Sequence, residues 1–359
     1  LGGWRTAASA LLYICLVFDT TTLAPWPNRK KEVKPMFKKI LFATTASPTC
    51  DDAAKVAFDL AKKYNATLFA FHVFGIPTHG ASPFVVDFRT GEEENADDDY
   101  TAWVKEEMKN TYARQIETVD NCIIDCTVGA PHTSILRKAR KEDVDLIVMG
   151  AHTRDEDIGG TRYRQVVGST MQKVARGARC PVLIISRPCN TCFWYFSNIV
   201  FGTDFSKASM SAFMFAYQTA KAIGCKLYLF HAIDLTDVKF GQVTGQEEIE
   251  TQVQHARQKM EKIYLPKMKD YDNYEVEIWE GIPHVEILKF AREKSADLIV
   301  MAHHTREIDP EKALLGSTVE QVVLRSACPV ASVNRPDKVG ATFDRHSKAY
   351  RLQAETANE

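Results

Sequence analysis

The chain has 359 residues, 45% hydrophobic and 25% charged, which is ordinary globular composition with room for two domains that each bury a core. A formal net charge of −1 excludes an electrostatic case for nucleic acid or an anionic membrane as the main partner. Nine cysteines lack the spacing of a disulfide framework and several sit in apolar strand-like runs, which points to a reducing compartment with mostly buried thiols.

Residues 1–35 lie outside the pattern that organises the rest. Ala10 to Phe18 is an apolar run after Arg5, too short to span a bilayer and without a small-residue cleavage site behind it. The organised sequence opens at Met36-Phe37-Lys38-Lys39-Ile40, so Met36 is read as the natural start. A weak signal or anchor and a disordered arm are the alternatives for the preceding segment.

From Met36, short β-branched runs alternate with longer helical patterns, which predicts parallel sheets covered by helices on both faces. The first half places strands at Lys39–Ala43, Thr67–Val73, Ile123–Val128, Leu146–Gly150 and Val182–Ser186, with helices over Asp51–Tyr64 and Asp98–Val119. Leu146-Ile147-Val148-Met149 is apolar on both faces, as a central parallel strand must be. Glu92-Glu93-Glu94 and Asp97-Asp98-Asp99 read as a solvated, mobile loop. The second half places strands at Ile199–Gly202, Lys226–Ala232, Glu275–Glu280, Leu298–Ala302 and Val330–Val333, with helices over Ala208–Ile223 and Gln246–Met268. The polar segment from Pro336 to Glu359 reads as a frayed tail or a helix.

The halves are two copies of one domain. Gly168-Ser169-Thr170 recurs as Gly316-Ser317-Thr318, and Cys180-Pro181-Val182 as Cys328-Pro329-Val330, both 148 residues on. Asp145-Leu146-Ile147-Val148-Met149 recurs as Asp297-Leu298-Ile299-Val300-Met301, and Gly129-Ala130-Pro131-His132 as Gly281-Ile282-Pro283-His284, now 152 residues on. Lys39-Ile40-Leu41-Phe42 answers Asn198-Ile199-Val200-Phe201 at 159 residues. Drifting offsets in matched order mean two loop insertions in the first copy, and the period is too long for a solenoid. The expected domains are 36–188 and 196–335, joined by a linker at 189–195 and followed by the tail at 336–359.

In an open doubly wound sheet, ligands bind beyond the carboxyl ends of the strands where strand order reverses. Two segments per half compete for that place. After strand one come Thr44-Thr45-Ala46-Ser47 and Thr203-Asp204-Phe205-Ser206; after strand four come Gly150-Ala151-His152-Thr153 and Ala302-His303-His304-Thr305, each leading to Gly-Ser-Thr. Asp-Phe-Ser after strand one and a glycine-bearing loop with Gly-Ser/Thr after strand four resemble the universal stress protein family. Phe71-His72-Val73, the Gly-x-Pro of both halves and the Cys-Pro-Val opening strand five add to the likeness. The chain resembles a tandem member of that family from Met36 to Arg335.

The resemblance implies two doubly wound parallel five-stranded sheets of order 3-2-1-4-5, a cytoplasmic stress-related role, and pairing of the domains through their last strands. Many members bind ATP in the crevice between strands one and four. The acidic residue after strand one serves the ribose region, and the glycines and Gly-Ser/Thr admit the phosphates, where a helix N-terminus offers free N–H donors. Carried onto this sequence, the candidates in the second half are Asp204, Ala232, Ala302, His304, Thr305, Arg306, Gly316, Ser317 and Thr318. In the first half they are Thr45, Val73, Gly150, His152, Thr153, Arg154, Gly168, Ser169 and Thr170.

The sequence also departs from the family. Thr153 and Thr305 replace the second loop glycine, Ala302 replaces the first where Gly150 keeps it, and Thr45 replaces the acid that Asp204 keeps. Both loop spacers are longer than the family's. Arg154, Arg306, Arg162 and Arg164 could replace lost backbone donors with guanidinium. Against a ligand stands a local explanation, because Ser169-x-x-Gln172 and Ser317-x-x-Glu320 read as capping boxes.

Cys189-Asn190-Thr191-Cys192 reads as linker rather than a zinc or redox site, because a structural zinc needs four ligands. His303 and His304 read as polar crevice residues, and Cys122 and Cys126 as packing residues. No metal site is expected. The expected function is a non-enzymatic stress-response protein that binds protein partners of unknown identity, gated by ATP with Mg2+ in one half. It is expected as an internal pseudo-dimer, with a homodimer possible, and without nucleic-acid or membrane partners. The alternatives are a nucleotide-free dimerisation scaffold and a slow ATPase or self-phosphorylating enzyme acting on Ser169, Thr170, Ser317 or Thr318.

Overall fold

The computed structural model describes residues 36–47, 50–77, 84–87, 91–151, 169–187, 196–234, 245–302 and 317–333. In the first half the strands are β1 (Lys39–Thr44), β2 (Thr67–Pro77), β3 (Phe84–Asp87), β4 (Glu93–Asn95), β5 (Cys122–Val128), β6 (Leu146–Gly150) and β7 (Val182–Ile185). The helices are α1 (Asp51–Tyr64), α2 (Asp98–Thr111), α3 (Ala113–Ile116), α4 (Pro131–Glu142) and α5 (Ser169–Gly177). The second half has β8 (Asn198–Gly202), α6 (Lys207–Ile223), β9 (Lys226–Ile233), α7 (Gln246–Ile263), β10 (Tyr274–Glu280), α8 (Pro283–Glu293), β11 (Leu298–Met301), α9 (Ser317–Arg325) and β12 (Val330–Ser332).

Local chemistry explains most of these bounds. α1 packs Val56, Ala57, Phe58, Leu60, Ala61 and Tyr64 inward and stops at Asn65, whose φ of 51° is the left-handed conformation that ends helices. α6 starts at Ser206, whose hydroxyl accepts from the Ser209 N–H, and ends at Gly224 with φ 81°. α4 and α8 begin with Pro131 and Pro283, each behind a glycine of positive φ, Gly129 at 141° and Gly281 at 131°. Asp145 and Asp297 pin the entry of each first strand. Asp145 Oδ2 accepts from the Lys38 and Lys39 amides, and Asp297 Oδ2 from those of Ser197 and Asn198.

Within the first half β5, β2, β1, β6 and β7 lie side by side, all parallel; β10, β9, β8, β11 and β12 repeat the arrangement in the second. The expected pairing of the last strands is present: β7 and β12 pair antiparallel, with Leu183 opposite Ala331, and join the two five-stranded halves and the hairpin into one 12-stranded sheet. One apolar cluster, holding Phe42, Phe58, Phe201 and Phe213, covers one face across both halves, and a second, holding Phe69, Ile147, Phe230 and Phe290, covers the other.

Part of the acidic segment expected as a loop is built into the sheet, Glu93 and Glu94 lying in β4, while Asp97 caps α2 and Asp98 and Asp99 open it. β4 pairs antiparallel with β3, and β3 with the last residues of β2, Gly75 to Pro77. Gly75 already pairs with Val128 of β5 on one edge, so β3 takes the edge that β1 uses further down. The hairpin therefore continues the sheet beyond the carboxyl end of β1. Gly75 permits the approach, because a Cβ there would stand 2.8 Å from the Val86 carbonyl oxygen. The carboxylates of Glu93 and Glu94 lie on the outer strand, where charge discourages edge pairing.

The two long helices expected over 98–119 and 246–268 are each broken. α2 gives way to α3 at Tyr112 (φ −106°, ψ 16°), and α7 to a short 3-10 turn at Tyr264 (φ −103°, ψ −43°). Both tyrosines are 1% exposed and turn their hydroxyls inward, a tertiary demand that helical periodicity does not contain.

Phe290 is fully buried on α8, with the rings of Tyr228, Phe230 and Trp279 within 5.4, 4.8 and 5.3 Å. Phe290→Ala is expected to cost about 3–5 kcal/mol in urea unfolding, whereas Ile282→Ala, at a side chain 43% exposed, should change stability by less than about 0.5 kcal/mol.

Candidate functional site

The carboxyl ends of strands one and four adjoin in both halves. Ala43 is in register with Met149, and Gly202 with Met301. This brings Thr45 near Gly150, with Val73 on the neighbouring β2, and it brings Asp204 near Ala302, with Ala232 on the neighbouring β9. Val73, Gly150 and Ala232 are buried. Ser169 and Thr170 open α5, and Ser317 and Thr318 open α9. His152, Thr153, Arg154, Gly168, His304, Thr305, Arg306 and Gly316 lie outside the described residues, as do Arg162, Arg164, His303 and the Cys189–Cys192 pair.

Each strand-one loop is held by the same side-chain latch. Thr44 Oγ1 and the Tyr112 hydroxyl share a 2.6 Å hydrogen bond; Thr203 Oγ1 and the Tyr264 hydroxyl share another of 2.6 Å. Each threonine oxygen also accepts the N–H two residues on, from Ala46 and Phe205, at 2.9 Å. A ring Nδ1–H then donates to each threonine carbonyl at 2.8 Å, from His72 and His231. The bond fixes the ring tautomer, because a carbonyl can only accept. Burial pushes the Tyr264 phenol up to about 12, outweighing the lowering effect of Thr203, so it stays a neutral partner. Sequence reading passed over Tyr112 and Tyr264; their recurrence 152 residues apart, each ending a helical pattern, was the available signal.

Residue 46 and its counterpart 205 adopt positive φ, 54° at Ala46 and 62° at Phe205. For phenylalanine this is costly backbone, of order 1–3 kcal/mol. Contacts with its ring offset the strain. His231 lies 4.5 Å from it, Tyr264 stacks at 6.4 Å, and Lys259 Nζ sits 4.6 Å above its centre.

Beyond the latch the two loops differ. In the first half Thr45 is turned onto its own loop, its hydroxyl 2.7 Å from Ser47 Oγ and 3.2 Å from Cys50 Sγ. In the second half Asp204 Oδ1 accepts from the Ser206 N–H at 2.9 Å and the Ser209 hydroxyl at 2.5 Å. Partial burial works against ionisation of Asp204, but the bonds from Ser206 and Ser209 outweigh it and hold the carboxyl below its usual range. The residue itself is exposed. The loop therefore presents a fixed anionic acceptor at the crevice mouth.

The Gln and Glu of the two expected capping boxes meet each other across the halves: Gln172 Nε2 donates to Glu320 Oε1 at 2.9 Å. No group of three potential metal-ligating side chains occurs among the described residues, and no helix among them is long and apolar enough to cross a membrane.

Comparison with known proteins bears on this fold and site together. The family model described as the universal stress protein family matches residues 36–186 and again 196–334, and the chain belongs to that family. Two universal stress proteins of Methanocaldococcus jannaschii are similar to it. One is 31% identical over 145 residues, covering 40% of this chain and 85% of that protein; the other is 32% identical over 164 residues, covering 39% and 96%. The crystal structure of a universal stress protein from Archaeoglobus fulgidus superposes with a TM-score of 0.57 at 22% identity, over 84% of this chain and 97% of that one. A protein of unknown function from Pseudomonas aeruginosa gives 0.55 at 19%, over 90% and 98%. At those identities the two structures speak to the fold alone. The chain is a tandem universal stress protein.

Tyr264→Phe removes one hydroxyl from a buried pair and should lower stability by about 1 kcal/mol, read from urea midpoints, while leaving the aromatic packing in place. A pH effect is also expected. Burial holds His231 below its ordinary value of 6.5, despite the opposing bond to Thr203, so the unfolded chain takes up a proton first as pH falls. Stability should be complete above about pH 6.5 and decline below it. His231→Gln should flatten the fall in melting temperature between about pH 7 and 5.5; an unchanged slope would assign the loss to other groups.

Proposed function

We propose that this tandem protein acts in the stress response by binding protein partners rather than by turnover, with ATP and Mg2+ held as a gate in the second half. One observation supports the choice of half: Asp204 is an exposed carboxylate held ionised by Ser206 and Ser209, where the first half has a threonine bonded within its own loop. Asp204 would accept a ribose hydroxyl, and the N–H groups at the start of α9 would receive phosphate oxygens. Ala232, Ala302, His304, Thr305, Arg306, Gly316, Ser317 and Thr318 complete the proposed site. A nucleotide gates a partner surface only through different affinity for two conformations.

The scaffold reading fits the first half. Its Thr45 is engaged, and the β3–β4 hairpin extends the sheet over the end of β1. Its candidates Val73, Gly150, His152, Thr153, Arg154, Gly168, Ser169 and Thr170 are proposed as structural. The domain limits proposed are 36–188 and 196–335, and the proposed compartment is the cytoplasm.

Isothermal titration of the full chain with Mg-ATP tests this. One equivalent should bind, and Asp204→Asn should weaken binding by about tenfold, the loss of one charge-assisted hydrogen bond. Asparagine keeps an acceptor for Ser206 and Ser209, so the loop survives the change. Binding indifferent to Asp204→Asn, two equivalents, or no binding would overturn the assignment. Steady phosphate release from bound ATP would make the protein an enzyme.

A further inference from the structure

The halves meet across a pseudo-twofold axis, and the residues that meet there are not copies of each other. Leu183 and Ala331 occupy equivalent places in the repeat, 148 residues apart, and are each other's partners in the β7–β12 pairing. Gln172 and Glu320 are equivalent as well, and they bond to each other. At both positions the axis sets a residue against its own counterpart, and the counterparts have diverged into complements: large against small, donor against acceptor. Leu183 and Ala331 are 5% and 0% exposed within one apolar cluster, so their volumes are coupled.

Contacts away from the axis show the same divergence. Lys63 Nζ stands 5.9 Å over the Phe196 ring, whereas the equivalent pair would be Ala222 against Phe37. Phe37 meets Phe215 at 6.5 Å, whereas the equivalent pair is Phe196 and Val56. A domain that paired with its own copy would lose each of these matches. Two first halves would oppose Leu183 to Leu183. Two second halves would oppose Ala331 to Ala331, leaving a gap, and Glu320 to Glu320, setting two carboxylates together.

We propose that the last-strand surfaces of this chain are matched to each other and select first-with-second pairing, so that their intended partner is the other half and not the same half of a second copy. Specificity of this kind needs elements that penalise the wrong pair as well as contacts that favour the right one. Opposed carboxylates and opposed leucines would supply the penalty.

Four single substitutions in the full chain each reproduce one wrong pairing inside the molecule. Q172E opposes two carboxylates, E320Q two amides, A331L two leucines and L183A two alanines. Thermal unfolding should show Q172E and A331L lowering the melting temperature by roughly 2–4 °C each. The exchanged doubles, Q172E/E320Q and L183A/A331L, restore complementarity with the partners reversed. They should return to within about 1 °C of the parent. Recovery in the exchanged doubles separates mismatch from simple loss of a native side chain. Additive losses in both cycles, or single variants as stable as the parent, would overturn the proposal. If A331L fails to fold, the Gln172–Glu320 cycle decides.

Discussion

The antiparallel ladder between β7 and β12 is the interaction on which the remaining structure depends, because it turns two open sheets into one. A five-stranded sheet ending at β7 or β12 would present a row of unpaired backbone groups beside an apolar surface. Pairing Val182, Leu183 and Ile184 with Ser332, Ala331 and Val330 satisfies that edge in both halves at once. The apolar clusters on the two faces then run across the junction, so packing in one half supports packing in the other. The same ladder sets α5 and α9 near enough for Gln172 to reach Glu320.

Duplication makes it possible to separate scaffold from site. The threonine–tyrosine–histidine latch is present twice with nearly identical distances, 2.6, 2.9 and 2.8 Å. Both copies satisfy buried polar groups that would otherwise cost about 1–3 kcal/mol each. The residue after the latch diverges, Thr45 against Asp204. A latch kept on both sides beside a carboxylate kept on one is the pattern expected if loop shape is a folding requirement and ligand chemistry an optional addition to it. The hairpin on the first half adds to the difference, since it continues the sheet past β1 where the second half has no counterpart among the described residues.

Strain at Phe205 fits this picture. A phenylalanine at φ 62° persists because His231, Tyr264 and Lys259 surround its ring, so the loop that carries Asp204 is fixed from the inside. Ala46, its counterpart, takes the same conformation with no ring to hold it. The aromatic and cationic contacts on Phe205 thus lie next to the residue that retains the acid.

Sequence alone settled what is local or periodic. The bounds of α1, the fully buried run of β6 and the alternation of strands and helices come from hydrophobic spacing and end signals within a few residues of one another, and the duplication from the same words repeated in order. The position of Asp204 beyond strand one was legible for the same reason. Tertiary structure decided the rest. The breaks at Tyr112 and Tyr264 exist because their hydroxyls reach threonines 68 and 61 residues away. Glu93 and Glu94 became a strand because Gly75 opened an edge of β2 to β3, which in turn pairs with β4. Gln172 and Glu320 satisfied a local capping pattern, yet they bond across 148 residues of chain. In each case a short-range pattern permitted two partners, and only the folded sheet brought the distant one within hydrogen-bonding reach.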